Sequence, residues 1–235
     1  MTVTHQLIAH SSLLTRMDLL LWQLADSAFP AGTFAHSAGL EAAVQLGEVT
    51  GRDELERFAC TVVRQAGNSA LPFVTATHLD PDNLVALDAL CDVFLSNPVA
   101  NRASRAHGQA FLAACVRSFP RRSTAQLLEI AGQQQVRGHQ APLFGAALRA
   151  LEIDRLTTQR LFLFLASRTV TSAAVRLGLV GPYEAQQVQM AIAPEIDRTV
   201  EVCADLQPSE IAHTAPLVDL FQSTHDRLYS RLFQS

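Results

Sequence analysis

The sequence predicts an all-α fold, a single domain of about ten helices in a compact bundle, and three observations carry that expectation. Apolar residues recur at spacings of three and four from end to end. Sustained alternation with a period of two, the mark of a half-buried strand, is absent. Clusters such as Asp80-Pro81-Asp82-Asn83, Asn97-Pro98 and Gly181-Pro182 mark the breaks between the periodic stretches. The length of 235 residues suits one core, since single cores keep growing to roughly 250–300 residues.

Residues 1–12 precede the first periodic stretch and read as a flexible N-terminal extension. Leu13, Leu14, Met17, Leu20, Leu21 and Leu24 then form one helical stripe. It leads into Trp22–Glu41, where a Pro, two Gly, two Phe, a His, two Ser and two carboxylates crowd between helices. A loop of that density displays groups as well as joining neighbours. Gly39–Gln45 resumes a helix, and Gly47 stands where a left-handed cap closes one. Asp53 is a cap candidate for the next helix, with Leu55, Phe58, Ala59, Val62 and Val63 facing inward.

Pro72 lies near the start of a helix running to Leu79, and Asp80-Pro81-Asp82-Asn83 is a turn. Leu84–Ser96 is amphipathic through Leu87, Leu90, Cys91 and Phe94. Asn97-Pro98 reads as N-cap and first helical residue of a long helix carrying Phe111, Leu112 and Cys115. Ser123 is a cap candidate for a short helix, and Gln133–Pro142 is a second irregular passage. Thr157 or Thr158 caps a long helix containing Leu161, Phe162, Leu165, Val170 and Ala174. Gly178 and Gly181-Pro182 end it, Pro194 kinks or interrupts the next, and a final helix runs from Leu217 to about Tyr229.

Composition removes several chemistries. All eighteen basic residues are Arg, so there is no Lys for a P-loop, a kinase or a Schiff-base enzyme. A formal charge of −4, with Arg121-Arg122 the sole adjacent basic pair, disfavours nucleic-acid binding. The longest wholly apolar block, Ala110–Val116, is far short of the roughly 20 residues a membrane span needs. The expectation is a cytoplasmic protein. Cys60, Cys91, Cys115 and Cys203 form no C-x-x-C and read as buried free thiols. Charged residues make up 17% against the usual ~25%. That fits a surface built from Gln, Ser and Thr, or a surface covered by a partner.

Three constellations bear on chemistry. Asp26, Ser27, Ser37 and His36 supply the residue types of a hydrolytic triad, the alternative reading being a stand-alone α-helical serine hydrolase. A nucleophile elbow, however, needs a strand and a sheet beneath it. The eight His contain no i, i+4 zinc pair and no His-x-His, which leaves them as structural or exposed groups. Arg227, Tyr229, Arg231, Leu232 and Phe233 concentrate aromatic and Arg side chains at the C-terminal end. Such residues are enriched in binding hot spots, and equally the tail could pack on its own core.

Four passages together resemble the urease accessory protein F (UreF) family. They are Leu21-Trp-Gln-Leu-Ala-Asp26-Ser27-Ala-Phe29-Pro30-Ala-Gly32-Thr-Phe34-Ala-His36-Ser-Ala-Gly39-Leu-Glu41; His139-Gln-Ala-Pro142-Leu-Phe144-Gly145; Ser172-Ala-Ala-Val-Arg176-Leu-Gly-Leu-Val-Gly181-Pro182; and Ala215-Pro216-Leu with Tyr229-Ser-Arg231-Leu-Phe233-Gln-Ser235. Thr33 stands where the family has a second Gly, and Ala38 at a variable position. The resemblance implies a non-enzymatic, homodimeric, all-α subunit with no catalytic residues and no stably bound cofactor. It implies assembly with UreD (also called UreH), recruitment of the GTPase UreG, and presentation to apo-urease. Nickel is then handled in transit at most, and GTP hydrolysis is coupled to its delivery. The same resemblance makes the 227–235 tail a partner-binding segment; if an Arg of this chain stimulates the GTPase, Arg176 and Arg231 are the candidates. Within the opening loop, Phe29, Pro30 and Phe34 are its expected anchors. Asp26, Ser27, His36 and Glu41 are the polar groups that satisfy the loop or meet a partner.

Overall fold

The computed structural model describes residues 17–31, 35–133 and 136–234. The expected extension 1–12, together with Leu13, Leu14, Thr33 and Phe34, lies outside the described residues. Chain contacts divide into two units, Met1–Pro30 and Ala31–Ser235. No strand occurs among the described residues, and the fold is all-α as the periodicity predicts.

In the first unit a helix, α1, covers 17–25. It ends where Asp26 turns the chain: the Asp26 N–H donates to the Gln23 carbonyl (3.2 Å) and the Phe29 N–H to the Asp26 carbonyl (3.2 Å). The Asp26 side chain reinforces this turn by accepting from the Ala28 N–H (2.8 Å), the local bond that makes Asp a turn residue.

The second unit holds α2 (Leu40–Gln45), α3 (Arg52–Ser69), α4 (Leu71–Leu79), α5 (Leu84–Phe94), α6 (Pro98–Ser118) and α7 (Arg122–Gln133). It continues with α8 (Gln140–Ala150), α9 (Arg155–Arg176), α10 (Pro182–Ala191), α11 (Ala193–Cys203) and α12 (Pro216–Thr224). Its centre is α4, buried on nearly every side through Leu71, Phe73 and Val74. Gly145 lets α8 lie against α4, since a Cβ there would meet the Val74 carbonyl and the Thr77 hydroxyl. Phe111, Phe144 and Phe162 carry the core from α6 through α8 to α9, with ring centroids 4.8 and 5.3 Å apart.

Most punctuation acts as predicted. Asn97 caps α6 by accepting from the Val99 N–H (3.0 Å), with Pro98 the first helical residue. Gly47 and Gly178 close α2 and α9 with φ of +77° and +69°. Pro194 separates α10 from α11. The Leu-Phe-Leu-Phe-Leu run is the middle of α9.

Five expectations are corrected. The cap of α9 is Asp154, which accepts from the Thr157 N–H (2.9 Å), and the cap of α3 is Gly51; Asp53 falls inside the first turn. Ser123 lies within α7, and its hydroxyl donates to the Ala150 carbonyl (2.7 Å). On α5 the inward face is Leu84, Leu87, Asp88 and Cys91, while Leu90 is exposed. The last helix stops at Thr224, one 3-10 turn follows over His225–Arg227, and residues 228–234 are irregular. Arg227 and Arg231 therefore share no helix face.

All four Cys are free; Cys91, Cys115 and Cys203 are buried and Cys60 is half-buried. Among the described residues no helix is long and apolar enough to cross a membrane.

Candidate functional site

The residues singled out in the second unit converge on one place, where α2, the end of α12 and the C-terminal tail meet. Ala38 and Gly39, with φ of +54° and +85°, form a left-handed turn that opens α2. Glycine is required at 39 twice over, because a Cβ there would also press on the Gln222 backbone at 3.1 Å. The turn sets Glu41 in the first turn of α2, facing inward among Leu40, Ala42 and Ala43, only 2% exposed.

A carboxylate buried to that degree needs donors. Glu41 has three. Its Oε1 accepts from the Leu232 N–H (2.6 Å), and its Oε2 accepts from the Phe233 N–H (3.3 Å) and from His225 Nε2 (3.1 Å). A carboxylate only accepts, so His225 carries its proton on Nε2. His225 is itself fully buried, and its Nδ1 stands 4.0 Å from Asp226. Asp226 in turn accepts two bonds from Arg102 (2.8 and 3.0 Å) and lies 3.6 Å from Arg231. The Arg102 hydrogen bond, ahead of the other causes, holds the Asp226 carboxyl below its usual range.

Two further bonds tie the tail down. Gln45 Nε2 donates to the Ser230 carbonyl (2.9 Å), and the Gln234 N–H donates to the Ala35 carbonyl (2.7 Å). The Phe233 ring is buried beneath the Arg176 guanidinium, 4.2 Å from its centroid, a cation–π contact. Neighbouring side chains point the other way: Tyr229 is fully exposed, and Leu232 and Arg231 are about half-exposed at 52% and 49%. Arg227 is also exposed. Upstream, Gln65 fixes the approach to α12 by accepting from the Thr214 N–H (2.6 Å) and the Ala215 N–H (2.9 Å).

Beside the left-handed turn, the buried His36 ring meets the edge of His107 with centroids 4.1 Å apart. Burial above all, then the neighbouring His107 and His225, lowers the His36 pKa to about 3, so its ring is neutral. Both rings border a cavity of about 170 Å³ that is also lined by Val62, Ser104, Phe162 and Gln222. Among the described residues no group of three or more His, Cys, Asp or Glu is placed to hold a metal ion. Ser37 is fully buried and follows no strand, so it lacks the geometry of a nucleophile elbow. Asp26, Ser27 and Pro30 are exposed in the first unit, Phe29 is half-buried there, and Phe34 lies outside the described residues.

The second irregular passage is organised in the same manner by a residue the sequence reading passed over. Asp88, 1% exposed on α5, accepts from the backbone N–H groups of Arg137 (2.6 Å), Gly138 (3.2 Å) and His139 (2.8 Å). His139 is fully buried between Asp92 (3.0 Å) and Ser104 (3.1 Å). His225, Gln45 and Asp88 were all missed. For Glu41 a signal existed: its carboxylate interrupts the apolar Leu40–Val44 run.

Comparison with known proteins decides the family. The UreF profile matches residues 49–193. The chain belongs to the UreF family. Urease accessory protein F of Oryza sativa subsp. indica is 39% identical over 216 residues, covering 90% of this chain and 83% of the relative. Its counterpart in Arabidopsis thaliana is 37% identical over 218 residues, 91% of each chain. UreF of Bacillus sp. (strain TB-90) is 26% identical over 225 residues, covering 92% of this chain and 98% of the relative. The tail and the left-handed turn lie outside the profile match.

Proposed function

We propose that this UreF-family chain is a non-enzymatic urease accessory subunit that joins UreD (UreH) and the GTPase UreG in GTP-dependent nickel insertion into apo-urease. It works in the cytoplasm as a homodimer, without a resident cofactor, and nickel is cargo handled in transit at most. The family membership supports the link to urease, because the curated relatives carry the name urease accessory protein.

The observation that carries the partner reading is the tail. A chain end ordinarily frays. Here it is pinned at Glu41, Gln45 and Ala35 while Tyr229, Arg231 and Leu232 face outward. An ordered edge of exposed aromatic, Arg and Leu groups is the form of a binding surface that loses little freedom on docking. Arg227 extends that surface, and Phe233 anchors it from below. Arg176, a candidate regulator of the GTPase, covers Phe233 and so couples any partner at the tail to the C-terminal end of α9.

Co-expression with UreD and UreG tests the reading. The full chain should copurify with both, and the variant lacking 227–235 should lose UreD while keeping its helical circular dichroism. Retained UreD binding by that variant overturns the tail assignment, and absence of any complex with the full chain overturns the function. A serine-reactive fluorophosphonate should leave no adduct on Ser27 or Ser37, and an adduct would restore the hydrolase alternative.

A further inference from the structure

The tail leaves α12 with one large apolar anchor, Phe233, and no helical hydrogen bonds of its own beyond the turn over His225–Arg227. Its order therefore depends on polar points from the body. Gln45 is exposed and competes with water. Glu41 is different. It is buried, it is a carboxylate, and it takes two successive backbone N–H groups of the tail together with the His225 imidazole. Hydrogen bonds to a charged group are roughly twice as strong as neutral ones, and more so out of water.

The geometry also sets direction. The Leu232 and Phe233 N–H groups both turn to Glu41, yet the two side chains part: Phe233 goes under Arg176 and Leu232 outward. We propose that Glu41 is the positioning residue of the C-terminal tail: its buried carboxylate, shared between His225 and the Leu232 and Phe233 N–H groups, holds the tail in the register that turns Tyr229, Arg231 and Leu232 towards the partner. Glu41 itself touches no partner. It acts through the tail, and the inference rests on the reading of the tail as the UreD-binding segment.

The partners of the carboxylate explain why this acid is needed. Ala at 41 leaves the two N–H groups and the imidazole without an acceptor. Gln offers one oxygen for three donors and presents an N–H where an acceptor is wanted. Loss of a charged acceptor of this kind is worth about 1.5–3 kcal/mol per bond, about a tenfold to hundredfold change in the closed fraction of the tail.

The test uses the full chain and reads two quantities. The first is amide hydrogen exchange at 230–234 in the free protein, with tryptic cleavage after Arg227 and Arg231 as a second measure of the same opening. The second is UreD affinity. Glu41→Gln should accelerate exchange at 232–234 by about tenfold or more without changing exchange in α4 and α8, and should weaken UreD binding by a similar factor. Leu232→Pro deletes one donor from the tail side, where misfolding of the core is not at issue, and should open the tail likewise.

Unchanged exchange at 232–234 in Glu41→Gln and at 233–234 in Leu232→Pro overturns the proposal. An opened tail with full UreD affinity also overturns it, provided that the 228–235 deletion still loses UreD. If the deletion too keeps UreD, it is the tail reading that fails.

Discussion

Asp88 and Glu41 do the same chemistry in two places. Each is a carboxylate nearly sealed from solvent on a helix, and each accepts successive backbone N–H groups from an irregular segment that has no helical partners of its own. The segments differ in how they are tied. Residues 136–139 are an internal loop, fixed at the C-terminal side by α8 and packed so closely on α6 that a Cβ at Gly108 would meet the Gly138 carbonyl and the His139 backbone. Residues 228–234 follow α12 and are otherwise held by hydrogen bonds to Ala35, Glu41 and Gln45. Losing the acceptor in the first case strands buried N–H groups; in the second the tail can swing out and hydrate them. One interaction is thus part of the global fold and the other is a local closure.

The largest effect expected is therefore at Asp88. Asp88→Ala should lower the unfolding free energy by about 3–5 kcal/mol in denaturant titrations, because three backbone donors lose their acceptor, and those of Gly138 and His139 are buried. A change no larger than that of Glu41→Ala would erase the distinction between the two sites.

Acid should separate the two regions next. Free in the unfolded chain, His36 takes up a proton below its ordinary value of 6.5; in the fold it resists until about 3. Between those values the unfolded state holds more protons, so stability is fully present above about 6.5 and falls as pH drops towards 3, by a few kcal/mol in order of magnitude. Because Ala35, the chain neighbour of His36, holds the Gln234 N–H, the tail should lose exchange protection before the 136–139 loop does. Unfolding free energies measured from pH 7 to 4 should show a shallower slope in His36→Gln, and an unchanged slope would remove His36 as the origin.

Gly108→Ala sharpens the comparison from the packing side. It should cost about 1–3 kcal/mol by pushing the loop off α6, detected as a lower melting temperature and faster exchange at 137–139. Glu41→Ala should reduce global stability by only about 1–2 kcal/mol, since local opening relieves its unpaired donors, while exchange at 232–234 rises far more. The smallest effect has the opposite sign. Ala38 holds φ of +54°, which glycine adopts without strain, so Ala38→Gly should stabilise by up to about 1 kcal/mol in the same titrations.

These sites were unequally legible in the sequence. Glu41 stands out there because it sits in the Leu40–Val44 run and in a passage with a family resemblance. Asp88 reads as an ordinary polar position on an amphipathic helix, and the periodicity placed Leu90 inward in its stead. His225 carried no signal, being one His among several near a terminus. The helix drawn to Tyr229 fails for a related reason. Leu228, Tyr229, Leu232 and Phe233 keep a helix-like spacing, but Ala35, Glu41 and Gln45 compete for the backbone groups a helix would use.

The sequence by itself determined the all-α class, most of the helices and their inward faces, the closures at Gly47 and Gly178, and the exclusion of lysine-dependent chemistry. Those properties follow from local periodicity, backbone preference and residue inventory, which do not depend on what is distant in the chain. Tertiary structure alone decided that Glu41 would meet His225, Leu232 and Phe233, 184 to 192 residues away. Two of those three donors are backbone N–H groups, which nearly every residue carries, so no side-chain pattern marks the pair that a buried carboxylate will take. Only the packing of α2 against α12, with Gly39 pressed to Gln222, brings the acceptor and its donors within 3.3 Å.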